Sequence, residues 1–160
     1  MTRVPFTYTW IEQGKILAGS IPQLPEDLDV LRSMGIKGII SLTRRNPFTY
    51  SDDMHWSESA YCVHVPIPDG GIANDETMLR AAQLLSIPEG YPAYIHCRGG
   101  IGRTGTILLA YYVLHRGMSL AQAKELVKVR RNYEGNASAI DQGSPQKEWI
   151  DLLESKRVQL

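Results

Sequence analysis

Cys97 and Arg103 stand six positions apart, with His96 before the first and Thr104 after the second, in the run His96-Cys97-Arg98-Gly99-Gly100-Ile101-Gly102-Arg103-Thr104-Gly105. The run leaves a short apolar stretch, Ala93-Tyr94-Ile95, and leads into a longer one, Ile107 to Leu114. A thiol at the end of a strand, followed by a glycine-rich turn into a helix, sits where backbone N–H groups can converge on an anion as a nest. Gly99, Gly100 and Gly102 permit the φ values and the close backbone approach that such a loop demands. The following helix aims its positive end at the same point. Helix end and Arg103 guanidinium together favour the thiolate, which is the nucleophilic form of Cys97. Arg103 can hold two phosphoryl oxygens in a planar fork that lysine cannot reproduce, and its charge matches the oxygens of a phosphoryl transition state. Thr104 places a hydroxyl where it could hydrogen-bond the departing thiolate. Arg98, Gly99, Gly100, Ile101 and Gly102 supply the expected substrate-binding loop.

The flanking sequence must build a scaffold that carries this loop. Phe6-Thr7-Tyr8-Thr9-Trp10 alternates, and Gln13-Gly14 turns the chain before Ile16-Leu17-Ala18, so a hairpin at a sheet edge is expected. Pro25 with Glu26 and Asp27 opens a helix that Gly35 closes, with Leu28, Leu31 and Met34 on one face. Gly38 to Leu42 and Tyr61 to Val65 are short, β-branched, apolar runs that read as buried strands. Between them, Thr43 to Ser59 holds Arg44, Arg45, Phe48, Tyr50 and Trp56; its length makes it a candidate recognition loop, or else a surface excursion packed by its own aromatics. Asn74 caps a helix carrying Met78, Leu79, Ala82 and Leu85 inward. Ile107 to Leu114 is apolar nearly all round, the mark of a central buried helix. Ser119 with Gln122 forms a capping box for a helix ending near Arg131, and Ser144-Pro145 starts the last one. The pattern predicts an α/β fold, a central and mostly parallel sheet flanked by helices with a helical C-terminal half, in one domain.

His96-Cys97, five residues, Arg103 and Thr104 match the HCX5R[ST] loop of the protein tyrosine phosphatase superfamily. Gly19, Pro22, Ile39 to Thr43, Ile67-Pro68-Asp69 and Arg130-Arg131 resemble its small atypical dual-specificity members. The resemblance implies a sheet surrounded by helices and hydrolysis of phosphotyrosine, with phosphoserine and phosphothreonine beside it, through a phosphocysteine intermediate. It also implies an acid upstream of the cysteine that protonates the leaving group. Asp69 fits that place, although Asp69-Gly70-Gly71 after a proline is good turn chemistry in its own right. Gly70 and Gly71 would then serve as a hinge, and Asp75 is the fallback acid. Gln142-Gly143-Ser144-Pro145-Gln146 resembles the paired-glutamine loop that positions water in tyrosine-specific members, and either Gln142 or Gln146 could serve. A buried His96 is expected to organise the loop by hydrogen bonds, not to act as the base.

The chain of 160 residues is 43% hydrophobic and 21% charged, with 17 basic and 17 acidic residues, so no global basic field argues for nucleic acid or an anionic membrane. No apolar run reaches membrane-span length and none opens the chain, which makes a cytoplasmic location the default expectation; for the oligomeric state the default is a monomer. Cys62 and Cys97 are too few for a disulfide framework, and Cys62 reads as a small hydrophobe on its strand. His55, His64 and His115 lack ligand spacing, so neither metal nor cofactor is expected. Two other readings compete with a protein phosphatase. One keeps the chemistry but takes a phosphoinositide or an RNA 5′-phosphate, towards which Arg98 alone leans. The other is a silent domain that binds phosphorylated partners, which would ordinarily have lost the cysteine, the arginine or the acid.

Overall fold

The computed structural model describes residues 5–47, 61–98, 102–131 and 144–157. Tyr8–Glu12 (β1) and Ile16–Gly19 (β2) form the expected hairpin. With Gly38–Ser41 (β3), Tyr61–His64 (β4) and Ala93–His96 (β5) they make one sheet in the order β1-β2-β5-β3-β4. The β1–β2 pair is antiparallel and the other three pairings are parallel, so the sheet is mostly parallel and β1 lies at its edge. The register aligns Gly19, His96, Ser41 and His64 across the C-terminal ends of β2, β5, β3 and β4. In open parallel sheets that end is where ligands bind.

Successive strand residues point to opposite faces, and the two faces are covered differently. Leu17, Ile39 and Tyr94 pack with Leu28 and Leu31 of helix α1 (Pro25–Ser33). Ile16, Ala18, Ile40 and Ile95 belong to the larger cluster built with α2 (Asp75–Leu84), α3 (Gly102–Leu114), α4 (Leu120–Arg130), α5 (Ser144–Asp151) and α6 (Leu153–Lys156). Local chemistry sets the helix starts. The Asp27 carboxylate accepts from the backbone N–H of Gln23 and Leu24 at 2.9 and 3.0 Å, and Asn74 Oδ1 accepts from Thr77 N at 2.9 Å. Ser119 and Gln122 form the predicted reciprocal capping box. Every residue from Arg103 to Leu114 is buried, because α3 packs against α2, α4, α5 and α6 as well as β5. Each Leu or Ile fully buried there contributes about 1.5–3 kcal/mol relative to exposure, and truncating Leu108 to alanine would cost about 2–5 kcal/mol.

Gly19 admits no side chain, since a Cβ there would lie 2.1 Å from the Thr7 carbonyl oxygen and 2.6 Å from the Tyr94 hydroxyl. That close approach carries the chain past β5, where Ile21 N donates to Arg98 O at 3.0 Å. No helix among the described residues is long and apolar enough to cross a membrane. Residues 48–59 of the candidate recognition loop, including His55, lie outside the described residues, as do Gly99, Gly100, Ile101 and Gln142.

Candidate active site

Cys97 follows β5 directly and is 3% exposed. The preceding backbone is fixed by Leu42 N, which donates to His96 O at 2.9 Å. His96 is fully buried, and its Nδ1 lies 2.9 Å from the Cys97 carbonyl oxygen. A carbonyl can only accept, so the proton sits on Nδ1. Burial lowers the His96 pKa to about 4, with the Cys97 carbonyl acting against it and the Arg103 charge adding to it, so the ring is neutral at pH 7. A neutral ring of that basicity holds a carbonyl well and takes up protons poorly.

Arg103 lies in the first turn of α3 and is 5% exposed. Its Nη1 donates to Ile67 O at 3.1 Å and to Leu42 O at 3.4 Å. Nη2 lies 3.5 Å from Asp69 Oδ1, whose side chain is 85% exposed. Three segments distant in sequence thus meet on one guanidinium: the end of β3, the Ile67-Pro68-Asp69 turn and the start of α3. The turn is closed by Gly71 N donating to Pro68 O at 3.0 Å, and Gly70 has φ 74°, which a glycine adopts without strain. Gln146, 1% exposed, reaches it from α5, its Nε2 donating to Gly71 O at 3.1 Å. Gln146 Oε1 and Thr104 Oγ1 are both buried without a hydrogen-bond partner among the described residues.

Asp75, the fallback acid, is held elsewhere. Its carboxylate accepts from Trp149 Nε1 at 2.8 Å and from Lys156 Nζ at 3.0 Å, and these bonds hold its pKa below the usual carboxylate range. It ties α2 to the C-terminal helices. Cys62 is half-buried, and burial pushes its thiol up to about 11. It registers with Ile39, which registers with Tyr94, three residues before Cys97. Strand spacing and rise therefore put the two cysteines roughly 14 Å apart, well beyond the reach of a disulfide, and no disulfide joins them.

A cavity of about 270 Å³ opens beside Arg103. Ile21, Thr43 and Asp69 line it together with four arginines, Arg44, Arg45, Arg98 and Arg103. Arg44 and Arg45 were legible only as members of a long loop. Their position just after β3 is the signal that places them, because residues following neighbouring parallel strands emerge side by side. A larger cavity, about 710 Å³, lies beyond the far end of α3 between Arg116, Met118, Leu126 and Val129. It stands roughly 20 Å along the helix from Arg103 and, among the described residues, is lined by no cysteine.

A cysteine directly after the central strand of a mostly parallel sheet, with an arginine in the first turn of the next helix, is the arrangement that the HCX5R resemblance implies. The chain belongs to the family described as "PTP-SAK: Swiss Army Knife protein, DSP-PTPase phosphatase domain", which matches residues 5–146. It is 32% identical over 119 residues to protein tyrosine phosphatase domain-containing protein 1 of Bos taurus, covering 65% of this chain and 15% of that protein. It is 28% identical over 119 residues to phosphatidylglycerophosphate phosphatase PTPMT1 of Arabidopsis thaliana, covering 71% of this chain and 34% of that protein. The chain thus spans about a third or less of the length of these relatives. The crystal structure of Tk-PTP in the active form superposes with a TM-score of 0.77 at 27% identity, covering 93% of this chain and 97% of the other.

Proposed function

We propose that this chain hydrolyses phosphomonoesters in two steps through a phosphocysteine on Cys97. In the first, the thiolate sulfur attacks phosphorus, a P–S bond forms, and the P–O bond to the leaving group breaks as Asp69 gives its proton to the departing oxygen. In the second, water attacks phosphorus, Asp69 takes the water's proton, the P–S bond breaks, and thiolate and inorganic phosphate are released. Arg103 grips the phosphoryl oxygens in both steps. Thr104 donates to the leaving thiolate, and Gln146 offers Oε1 to the attacking water. The observation that carries this reading is the convergence on Arg103: its guanidinium is bonded to Leu42 O and Ile67 O and lies 3.5 Å from Asp69. Leu42 N in turn donates to His96 O beside Cys97, so nucleophile strand, cation and acid are joined through Leu42.

Turnover of para-nitrophenyl phosphate by the wild type, abolished in Cys97→Ser while vanadate still binds, is the expected result. Turnover in Cys97→Ser well above background would end the covalent mechanism. Resemblance to the dual-specificity phosphatases supports phosphotyrosine in proteins as substrate. Two observations favour a second reading, a non-protein phosphomonoester: four arginines line the cavity, and a relative is named for phosphatidylglycerophosphate.

A further inference from the structure

We infer that the cavity beside Arg103 is a second anion subsite, built by Arg44 and Arg98, for a phosphate group carried on the same substrate as the scissile phosphomonoester. The inference rests on the proposed phosphatase chemistry for the scissile group and adds to it the substrate's other end.

Charge comes first. Acidic and basic residues are equal at 17 each over the chain, yet this cavity brings together four arginines and one acid. That acid, Asp69, lies against Arg103. Arg103 is nearly buried, with both Nη1 hydrogens directed at carbonyls, and it serves the scissile phosphoryl group. Arg44 and Arg98 are exposed at the rim and exceed what one phosphoryl group needs.

The backbone that carries them is held, as a merely solvated loop would not require. Thr43, 7% exposed, donates its hydroxyl to Arg45 O at 2.7 Å. It therefore accepts from Ser41 Oγ, 2.9 Å away. His64 Nε2 donates to Thr43 O, which links the end of β4 to the same segment. On the other side, Arg98 O receives Ile21 N at 3.0 Å. Arg44 and Arg98 thus leave neighbouring strands from fixed Cα positions, and only their side chains need order when the anion arrives. Guanidinium forks suit phosphate oxygens in two-point contacts. A lone phosphotyrosine, with one phosphate at the end of its side chain, would engage Arg103 and leave this pair unused. The fitting class is a small phosphomonoester with a second phosphate a few bonds away, either as a lipid headgroup or as its water-soluble counterpart.

The test measures binding to Cys97→Ser, which separates recognition from turnover. The probes are glycerol 3-phosphate, glycerophosphoglycerol phosphate, and the dihexanoyl lipid with that same headgroup, all titrated calorimetrically. The two-phosphate probes should bind at least about tenfold more tightly than glycerol 3-phosphate, the worth of one charge-assisted contact partly open to water. The advantage should shrink with salt, which screens exposed charges beyond about 10 Å. It should fall towards unity in Arg44→Gln/Arg98→Gln and survive only in part in Arg44→Lys/Arg98→Lys, which keep the charge and lose the fork; both pairs change only exposed side chains. Equal affinity of the acylated and deacylated probes assigns the subsite to soluble substrates, and tighter binding of the acylated one assigns it to a lipid headgroup. Equal affinity for one-phosphate and two-phosphate probes would overturn the inference, as would an advantage that persists in the double glutamine variant. So would tighter binding of an acid-flanked phosphotyrosine peptide, lost in that variant. Loss of the proposed chemistry shows itself separately, as wild-type inactivity or as turnover by Cys97→Ser.

Discussion

Replacing Arg103 with lysine keeps the charge at the start of α3 and removes the fork, and the cost follows from counting hydrogens. Nη1 directs both of its hydrogens at Ile67 O and Leu42 O, 3.1 and 3.4 Å away. Nε–H and the Nη2 hydrogens remain as the edge that meets two phosphoryl oxygens, and Nη2 already lies 3.5 Å from the Asp69 carboxylate. An ammonium has three hydrogens in all. If the ammonium in Arg103→Lys serves both carbonyls, one hydrogen is left and one phosphoryl contact is lost. A hydrogen bond to a charged group contributes about 1.5–3 kcal/mol, so kcat/KM should fall about 10- to 150-fold. If the ammonium turns wholly to the substrate, Ile67 O loses its donor, at about 1–3 kcal/mol, while Leu42 O keeps the backbone N–H of Ile67 at 3.2 Å. The melting temperature would then fall by several degrees, since 1 kcal/mol moves a domain of this size by about 2–4 °C. Steady-state kinetics on an aryl phosphate alongside thermal melts read both outcomes. A variant that keeps more than half of kcat/KM and melts with the wild type would refute this account of Arg103.

Asp69→Asn should lose activity most with poor leaving groups, up to the roughly 10²–10⁴-fold typical of general acid catalysis, and should bind vanadate a few-fold more tightly because a carboxylate no longer competes for Arg103. A loss equal across leaving groups would reduce Asp69 to a turn residue. Gln146→Ala removes the bond to Gly71 O, worth about 1 kcal/mol, and should slow hydrolysis of the phosphocysteine enough for a burst of nitrophenol to precede steady turnover. Lower stability with unchanged kinetics would make Gln146 a packing residue only. Asp75 has its pKa lowered in the folded state, so its bonds to Trp149 and Lys156 stabilise the fold above the ordinary carboxylate range, and that contribution is lost as pH falls through the lowered value. Asp75→Asn should therefore melt below the wild type at neutral pH and approach it in acid; a constant difference across that range would contradict the assignment.

The nucleophile, the cation and the order of strands and helices were legible in the sequence because each depends on local rules. Cys97 to Arg103 is one contiguous loop, Ser119 and Gln122 cap within a single turn, and strand alternation fixes which residues face α1 and which face α3. Asp69 could be named, but sequence alone left it balanced between acid and turn. Only folding put it beside Arg103, 34 positions away, by seating the ends of two crossovers on one guanidinium. Asp75 looked like an alternative until packing set it against Trp149 and Lys156. Gln146 gained its place through a bond to Gly71, 75 residues earlier. Arg44 and Arg98 are 54 positions apart and share no local pattern. They line one cavity because β3 and β5 are parallel neighbours, and parallel pairing delivers the residues that follow each strand to the same end of the sheet.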